Sequence, residues 1–274
     1  MPLLDGIIGC WSPSIRGSGY LLPDLSGRGN HGTLTNMDAG TDWPGAAVRG
    51  VHGRVLDFDG TNDFADFGTR IDLGGAKFVS FSAWLKPNGT NNMWALSRYS
   101  SGLGSGVMRT EYFGIQSESA AGQIRFNFGG QTNNDGLAIH SSEVVTASEW
   151  NHIAGSVLIA GASSTGVMTL NGKPCTVNLT TSGTPPTEVS ANNAVTWRAM
   201  AVTGFAGNVV YSAGQVGEMA IWRTPKAVAE LCELHRQGNG AIGRQLTGQT
   251  RRRVYGFVPA TGARRRRILC GDYS

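Results

Sequence analysis

Residues 78–86, FVSFSAWLK, set Val79, Phe81, Ala83 and Leu85 at every second position. A period of two puts these four side chains on one side of an extended chain and predicts a half-buried strand. Pro87, Asn88 and Gly89 end the run. Comparable short runs recur at 3–11, 93–98, 111–117, 123–129, 150–159, 166–171, 174–180, 197–203 and 215–222. So many short strands spaced by turns point to an all-β sandwich rather than to alternating β and α units. Glycine, 40 of 274 residues, falls between the runs with no G-X-Y period. It therefore serves turns and not a collagen helix.

Local signals refine this reading. Residues 51–59 and 64–68 flank a GTND turn and predict a hairpin. Asn171-Gly172 predicts a tight turn between GVMTL and KPCTVNL. One helix is expected after the last strand, with Thr224 as N-cap, Pro225 at the first helical position and Gly238 as the stop. Beyond it the composition changes. Residues 244–274 hold eight Arg and one Asp, which leaves 15 basic and 18 acidic groups for residues 1–243. The sequence thus divides into a sandwich over 1–242 and an Arg-rich extension over 243–274. In the extension, Tyr255 and Phe257 lie between Arg251, Arg252, Arg253 and the run Arg264, Arg265, Arg266, Arg267. An apolar segment between arginines suits pairing with a partner, so these nine residues are the expected anchoring or assembly contacts. The body is not basic, and nucleic acid is not the expected partner.

Other classes are disfavoured by what is missing. No run of about 18 apolar residues predicts a membrane span, and the first residues, MPLLDGIIGCW, do not resemble a secretory signal. Cys10, Cys175, Cys232 and Cys270 fit no zinc or redox spacing and are read as isolated thiols. There is no G-x-S-x-G elbow and no phosphate-binding glycine motif. Glycoside hydrolysis needs two facing carboxylates. The densest group, Asp57, Asp59, Asp63 and Asp66, surrounds a turn and is read as satisfying turn amides. His31, His52, His140, His152 and His235 form no metal-binding pair. No catalytic residue is assigned, and the chain is not expected to be an enzyme. Sugar binding asks for aromatic platforms beside amides and carboxylates. The candidates are Trp94, Tyr99, Tyr112 and Trp197 with Asn127, Asn133, Asn134 and Asp135. Trp11, Trp84, Trp150 and Trp222 are assigned to the core.

Six segments carry a family resemblance. DLSGRGNHGTLTN at 24–36, GRVLDFDGTNDFADFG at 53–68, FSAWLKP at 81–87, WNHIAGSV at 150–157, LNGKP at 170–174 and GQVGEMAIWRTPKAVAEL at 214–231 resemble, in order, the laminin-G-like, concanavalin A-like lectin/glucanase superfamily. The resemblance implies a jelly-roll sandwich of two antiparallel sheets, of the non-catalytic type. It also implies a structural Ca²⁺ held by loop oxygens, here Asp24 and Asn30 with Glu218. The family's closing strand usually reads I-D-E-V, and this chain reads V-G-E-M at 216–219, with Gly217 in place of the Asp. RRRVYGFVPA at 251–260 further resembles segments of tailed-phage and prophage proteins. The resulting expectation is a virion structural or decorating protein at the virion surface, attached to capsid or tail proteins and forming homo-oligomers. The alternative is an extracellular carbohydrate-binding module of a host-recognition fibre or other adhesion protein, with a glycan as ligand.

Overall fold

A computed structural model describes residues 2–17, 19–49, 51–89, 92–100, 109–116, 121–129, 135–191, 195–203 and 208–248. A 3₁₀ turn, Pro2–Leu4, precedes β1 (Ile7–Trp11). There follow β2 (Leu21–Leu22), β3 (Gly32–Thr35), β4 (Gly45–Val48), β5 (Val51–Arg54), β6 (Leu56–Asp59) and β7 (Phe64–Gly68). The long central strands are β8 (Phe78–Pro87), β9 (Met93–Ser100), β10 (Arg109–Gln116), β11 (Gln123–Gly129), β12 (Gly136–Val144) and β13 (Asn151–Leu158). Then come β14 (Thr165–Leu170), β15 (Lys173–Pro174), β16 (Val177–Ser182), β17 (Trp197–Ala199), β18 (Ala201–Thr203), β19 (Val209–Tyr211) and β20 (Ala213–Trp222). Two helices close the described chain, α1 (Val228–Gln237) and α2 (Ala241–Leu246).

The strands form an all-β jelly-roll sandwich of two antiparallel sheets, as the sequence predicts. One sheet runs β1-β20-β8-β13-β14-β15, with β6 added on β20; the other runs β16-β12-β11-β10-β9-β17-β7-β3-β2. Between them lies one apolar core. At its centre Phe81 of the first sheet stacks on Phe113 of the second at 5.0 Å. Phe126 meets both rings edge-on, at 5.9 and 5.2 Å. Aromatic packing of this kind adds about 1 kcal/mol per pair to the gain from burial alone.

The structure corrects three sequence expectations. The arms around GTND are not a hairpin: β6 pairs with β20 and β7 with β3 and β17, so the turn carries the chain from one sheet to the other. Alternation reports which side of a strand is buried, and it is silent on the partner. Second, β8 is not half-buried. Ser80, Ser82 and Trp84 are buried as fully as their apolar neighbours, because α1 and the segment before it cover that face. Third, the helix begins at Val228. Thr224 is held outside it instead: its hydroxyl donates to the Asp5 carbonyl and its carbonyl accepts from Ser80 Oγ, both at 2.8 Å. The actual cap is Ala227, whose N–H is taken by Glu230 at 2.9 Å. Gly238 ends the helix as expected. After it, α2 buries Ala241, Ile242 and Gly243. Leu231, Leu234 and Ile242 join Ile7, Ala220 and Trp222 in a second apolar cluster on the outer side of the first sheet.

Asn171 and Gly172 both have positive φ, 51° and 74°, and turn β14 into β15 as predicted. Cys10, Cys175 and Cys232 are free thiols, and Cys270 lies outside the described residues. Among the described residues no helix is long and apolar enough to cross a membrane.

Candidate functional site on the nine-stranded sheet

The middle of the second sheet separates its residues by alternation. Phe113, Ile115, Ile124, Phe126 and Phe128 enter the core. The intervening residues of β10 and β11 form the opposite face. Cross-strand register arranges that face in rows. One row reads Trp94, Gly114, Arg125, His140 and Asn178 across β9, β10, β11, β12 and β16. The next reads Ser97, Tyr112, Asn127, Ala138 and Thr180. Residues in neighbouring rows on one face are close enough for long side chains to touch.

They do touch. The Arg125 guanidinium lies over the Tyr112 ring, 5.6 Å from its centre, and donates to Asn127 Oδ1 at 3.3 Å. The Tyr112 hydroxyl is hydrogen-bonded to Gln116 Oε1. Burial pushes the Tyr112 phenol up to about 12, so it is a hydrogen-bonding hydroxyl at any physiological pH. Burial, and then the Arg125 charge, lower the His140 pKa below its ordinary value, so this imidazole is neutral at pH 7. Gly114 leaves no side chain between Trp94 and Arg125. A Cβ there would stand 2.1 Å from the Met93 carbonyl oxygen, at the irregular register between β9 and β10. Trp94 is half-buried. Its N–H donates to Ser212 Oγ at 3.1 Å and its carbonyl accepts from the Met200 N–H at 2.8 Å, which fixes the border of the face on that side. At the opposite border Asn178 and Thr180 are exposed. The result is a polar surface with one half-exposed indole, amides, a neutral imidazole and a guanidinium. Such a surface matches the hydroxyls and C–H faces of a sugar chain.

Three of the predicted ligand residues, Trp94, Tyr112 and Asn127, come together here. Tyr99 is described by its backbone, which pairs with Thr110. Trp197 is fully buried in the core, beneath the Arg98 guanidinium. Asp135 stands at the start of β12 and accepts the Thr184 N–H at 2.7 Å. Asn133 and Asn134 lie outside the described residues, as do Arg251, Arg252, Arg253, Tyr255, Phe257, Arg264, Arg265, Arg266 and Arg267. Sequence reasoning missed Arg125, Gln116 and His140. The first two were legible from alternation in QIRFNFG and EYFGIQ. His140 was missed with β12 itself, although Leu137 and Ile139 alternate around it.

The residues expected to hold calcium are engaged elsewhere. Asp24 Oδ1 accepts the Cys10 and Ser26 N–H groups at 3.0 and 2.9 Å. Its Oδ2 accepts Ser26 Oγ–H and the Asn30 N–H at 2.8 and 3.0 Å. Asn30 donates its amide to the Ile8 carbonyl at 2.7 Å. Glu218 accepts the Ile242 and Gly243 N–H groups at 3.0 and 2.7 Å and so caps α2. In this structure the carboxylate oxygens of Asp24 and Glu218 thus face N–H and O–H donors. Among the described residues no group of three His, Cys, Asp or Glu could hold a metal.

The aspartates around GTND behave as turn ligands. Asp59 takes the Thr61 N–H at 2.7 Å, Asp63 the Asp59 N–H at 3.1 Å and Asp66 the Gly68 N–H at 2.7 Å. Asp57 accepts from Gln215 Nε2 at 2.9 Å, inside a cleft of about 540 Å³ bordered by Lys86 and Asn88.

Solved structures share this fold at low identity. Domain 4 of the extracellular arabinanase AbnA of Geobacillus stearothermophilus, in complex with arabinotriose, aligns with a TM-score of 0.52 and 15% identity, over 83% of this chain and 97% of that one. Trypanosoma rangeli sialidase in complex with sialic acid aligns with a TM-score of 0.51 and 12% identity, over 85% of this chain and 33% of the sialidase. The binding domain of botulinum neurotoxin serotype C1 aligns with a TM-score of 0.51 and 10% identity, over 86% of this chain and 52% of that one. The chain thus spans about a third of the sialidase and about half of the neurotoxin domain. No curated protein matches in sequence. The profile of the concanavalin A-like lectin/glucanases superfamily matches residues 59–232, well over half of the chain, and the chain belongs to that superfamily.

Proposed function

We propose that this domain is a carbohydrate-binding module that holds a neutral oligosaccharide on the outer face of β9–β12 and performs no chemistry on it. The observation that carries the reading is the register that sets Trp94, Tyr112, Asn127, Arg125 and His140 in two adjacent rows. The indole offers a stacking surface, and the other four supply donors and acceptors. The arabinanase domain solved with arabinotriose lends support, because it shares the fold over nearly its whole length. The non-catalytic part of the reading is supported by the aspartates nearest one another in sequence, which are committed to turn amides or to Gln215.

The test is a glycan array followed by calorimetry with arabinotriose and any neutral oligosaccharide that scores. Trp94→Ala and Asn127→Ala are expected to weaken binding at least tenfold, with the fold intact by circular dichroism. Silence across a broad neutral array would overturn the binding reading. Release of reducing sugar from the bound polysaccharide would overturn the non-catalytic one. Attachment to a virion, with the sandwich as a decoration, rests on the arginines of 251–267. Loss of particle association on removing residues 249–274 would favour that reading.

A further inference from the structure

A second surface is formed by different elements. The β4–β5 hairpin pairs Gly45 with Arg54 and Ala47 with His52. Because alternate residues share a face, these four lie on one side of the hairpin, with small residues directly opposite long cationic ones. The turn Pro13–Gly17 packs against the other side of the hairpin at Gly53, and the two segments border a groove of about 740 Å³ whose lining includes Arg16, His52 and Arg54. The hairpin seats closely on this turn because Gly53 has no side chain: a Cβ there would stand 2.6 Å from Ser14 Cβ.

The charge of the groove is one-sided. Arg16, His52 and Arg54 are exposed, and among the described residues no carboxylate lines it. Neither guanidinium has a carboxylate partner among the described residues. Of the acids that flank the hairpin along the chain, Asp42 has both oxygens turned to its own loop, one to the Asp38 N–H and one to Thr41 Oγ1, and Asp57 accepts from Gln215 Nε2 at 2.9 Å. The arginines at the other end of the hairpin and on α2 are engaged elsewhere. Arg49 is hydrogen-bonded to His235 at 3.0 Å, and Arg244 donates to the Asn239 carbonyl at 2.9 Å. In a body with more acidic than basic groups, a groove with two arginines and no acid in its lining is a local exception.

We infer that this groove binds an acidic oligosaccharide, with Arg16 and Arg54 gripping carboxylate or sulfate groups and His52 adding a further donor. The planar guanidinium matches both oxyanions with paired hydrogen bonds. Nucleic acid is the less suitable occupant, since Pro13, Ile15, Ala46 and Ala47 provide no aromatic ring on which a base could stack.

The probes are a heparin-derived sulfated hexasaccharide, an oligogalacturonate hexamer, a neutral hexasaccharide and a single-stranded oligonucleotide of matching charge, each titrated into the full chain. Expected are binding of one or both acidic sugars, with a fall of tenfold or more in affinity for the Arg16→Ala/Arg54→Ala double variant, while any binding of the neutral hexasaccharide is unchanged in that variant. Binding of the sulfated sugar alone, or of the uronate alone, assigns the oxyanion. Trp94→Ala should leave this binding unchanged, which separates the groove from the outer-sheet site. Unaltered affinity in the double variant overturns the inference, and so does an oligonucleotide bound as tightly as the acidic sugars. These are exposed side chains, and equal thermal midpoints for wild type and variant confirm that the fold is retained.

Discussion

Arg98 and Glu111 are cross-strand partners on β9 and β10, and they form an ion pair at 3.0 Å with side chains 1% and 0% exposed. The guanidinium also donates to the Ser190 carbonyl at 3.2 Å and lies 5.0 Å from the centre of the Trp197 ring. A buried pair of this kind contributes little against an apolar replacement, but removing one partner strands a charge and costs about 3–5 kcal/mol. Arg98→Met is therefore expected to lower the urea-unfolding free energy by about that amount. The double variant Arg98→Met/Glu111→Leu should lose less than the single one. A single variant within about 1 kcal/mol of wild type would show that the pair is not desolvated.

The rings of His152 and His235 stack at 5.6 Å and 13°, and both pack on Trp84. Burial lowers His152 to about 3, with smaller contributions from His235 and Arg49. Burial and then Arg49 lower His235 to about 4. Both pKa values lie below the unfolded value of 6.5, so between these limits the unfolded chain binds protons that the folded chain refuses. Their contribution is complete above pH 6.5 and is lost as pH falls. For His152 alone the loss at pH 5 is about 2 kcal/mol; His235 is partly solvated and adds less. The difference in urea-unfolding free energy between wild type and His152→Gln should therefore grow in favour of wild type by about 2 kcal/mol from pH 5 to pH 7.

Glu218 acts with the opposite sign. Burial raises its pKa from 4.5 to about 7, against the two amides of α2 that favour the carboxylate. The folded chain therefore holds a proton that the unfolded chain releases, and stability falls as pH rises from 4.5 to 7. Between pH 5 and 7 that loss is about 2 kcal/mol, close to the gain from His152. Wild-type stability should thus be nearly flat over this interval. Glu218→Gln should unmask a rise with pH, and His152→Gln a fall. A flat profile in both variants would show that neither group is as shielded as its surroundings indicate.

What the sequence revealed follows from what alternation measures. Val79, Phe81, Ala83 and Leu85 all reach the core, because a period of two selects one face wherever that face is buried. Ser80 and Ser82 gave no sign of burial, since their hydroxyls are matched by Ser156 and His152 of the neighbouring β13 and by the Thr224 carbonyl of the segment above. The same polar tether kept residues 224–226 out of the helix that Thr224-Pro225 seemed to start. The outer-sheet site was legible as residue types, Trp94, Tyr112 and Asn127, but not as a place. Only the register of β9 to β12 brings them beside Arg125 and His140. Asp24 and Glu218 were legible as carboxylates, but no pattern of residue types could show which backbone amides they accept.

Gly217, which stands where the family usually has Asp, provides the last test. A Cβ at this position would lie 2.6 Å from Asn239 Oδ1 and 3.0 Å from Trp84 Cβ. Asn239 is fully buried, and the same oxygen accepts the Glu218 N–H at 2.7 Å. Restoring the family's Asp would push Asn239 away from that amide and crowd the indole that carries the two stacked histidines. Overpacking of this kind costs about 1–3 kcal/mol, and the displaced hydrogen bond adds to it. Gly217→Ala is expected to lose about 1–3 kcal/mol in urea unfolding, and Gly217→Asp more. Millimolar calcium should recover none of the loss, because Asp24 and Glu218 are spent on N–H donors. A Gly217→Asp variant that regains wild-type stability in calcium and loses it on chelation would show that these carboxylates can turn to a cation after all.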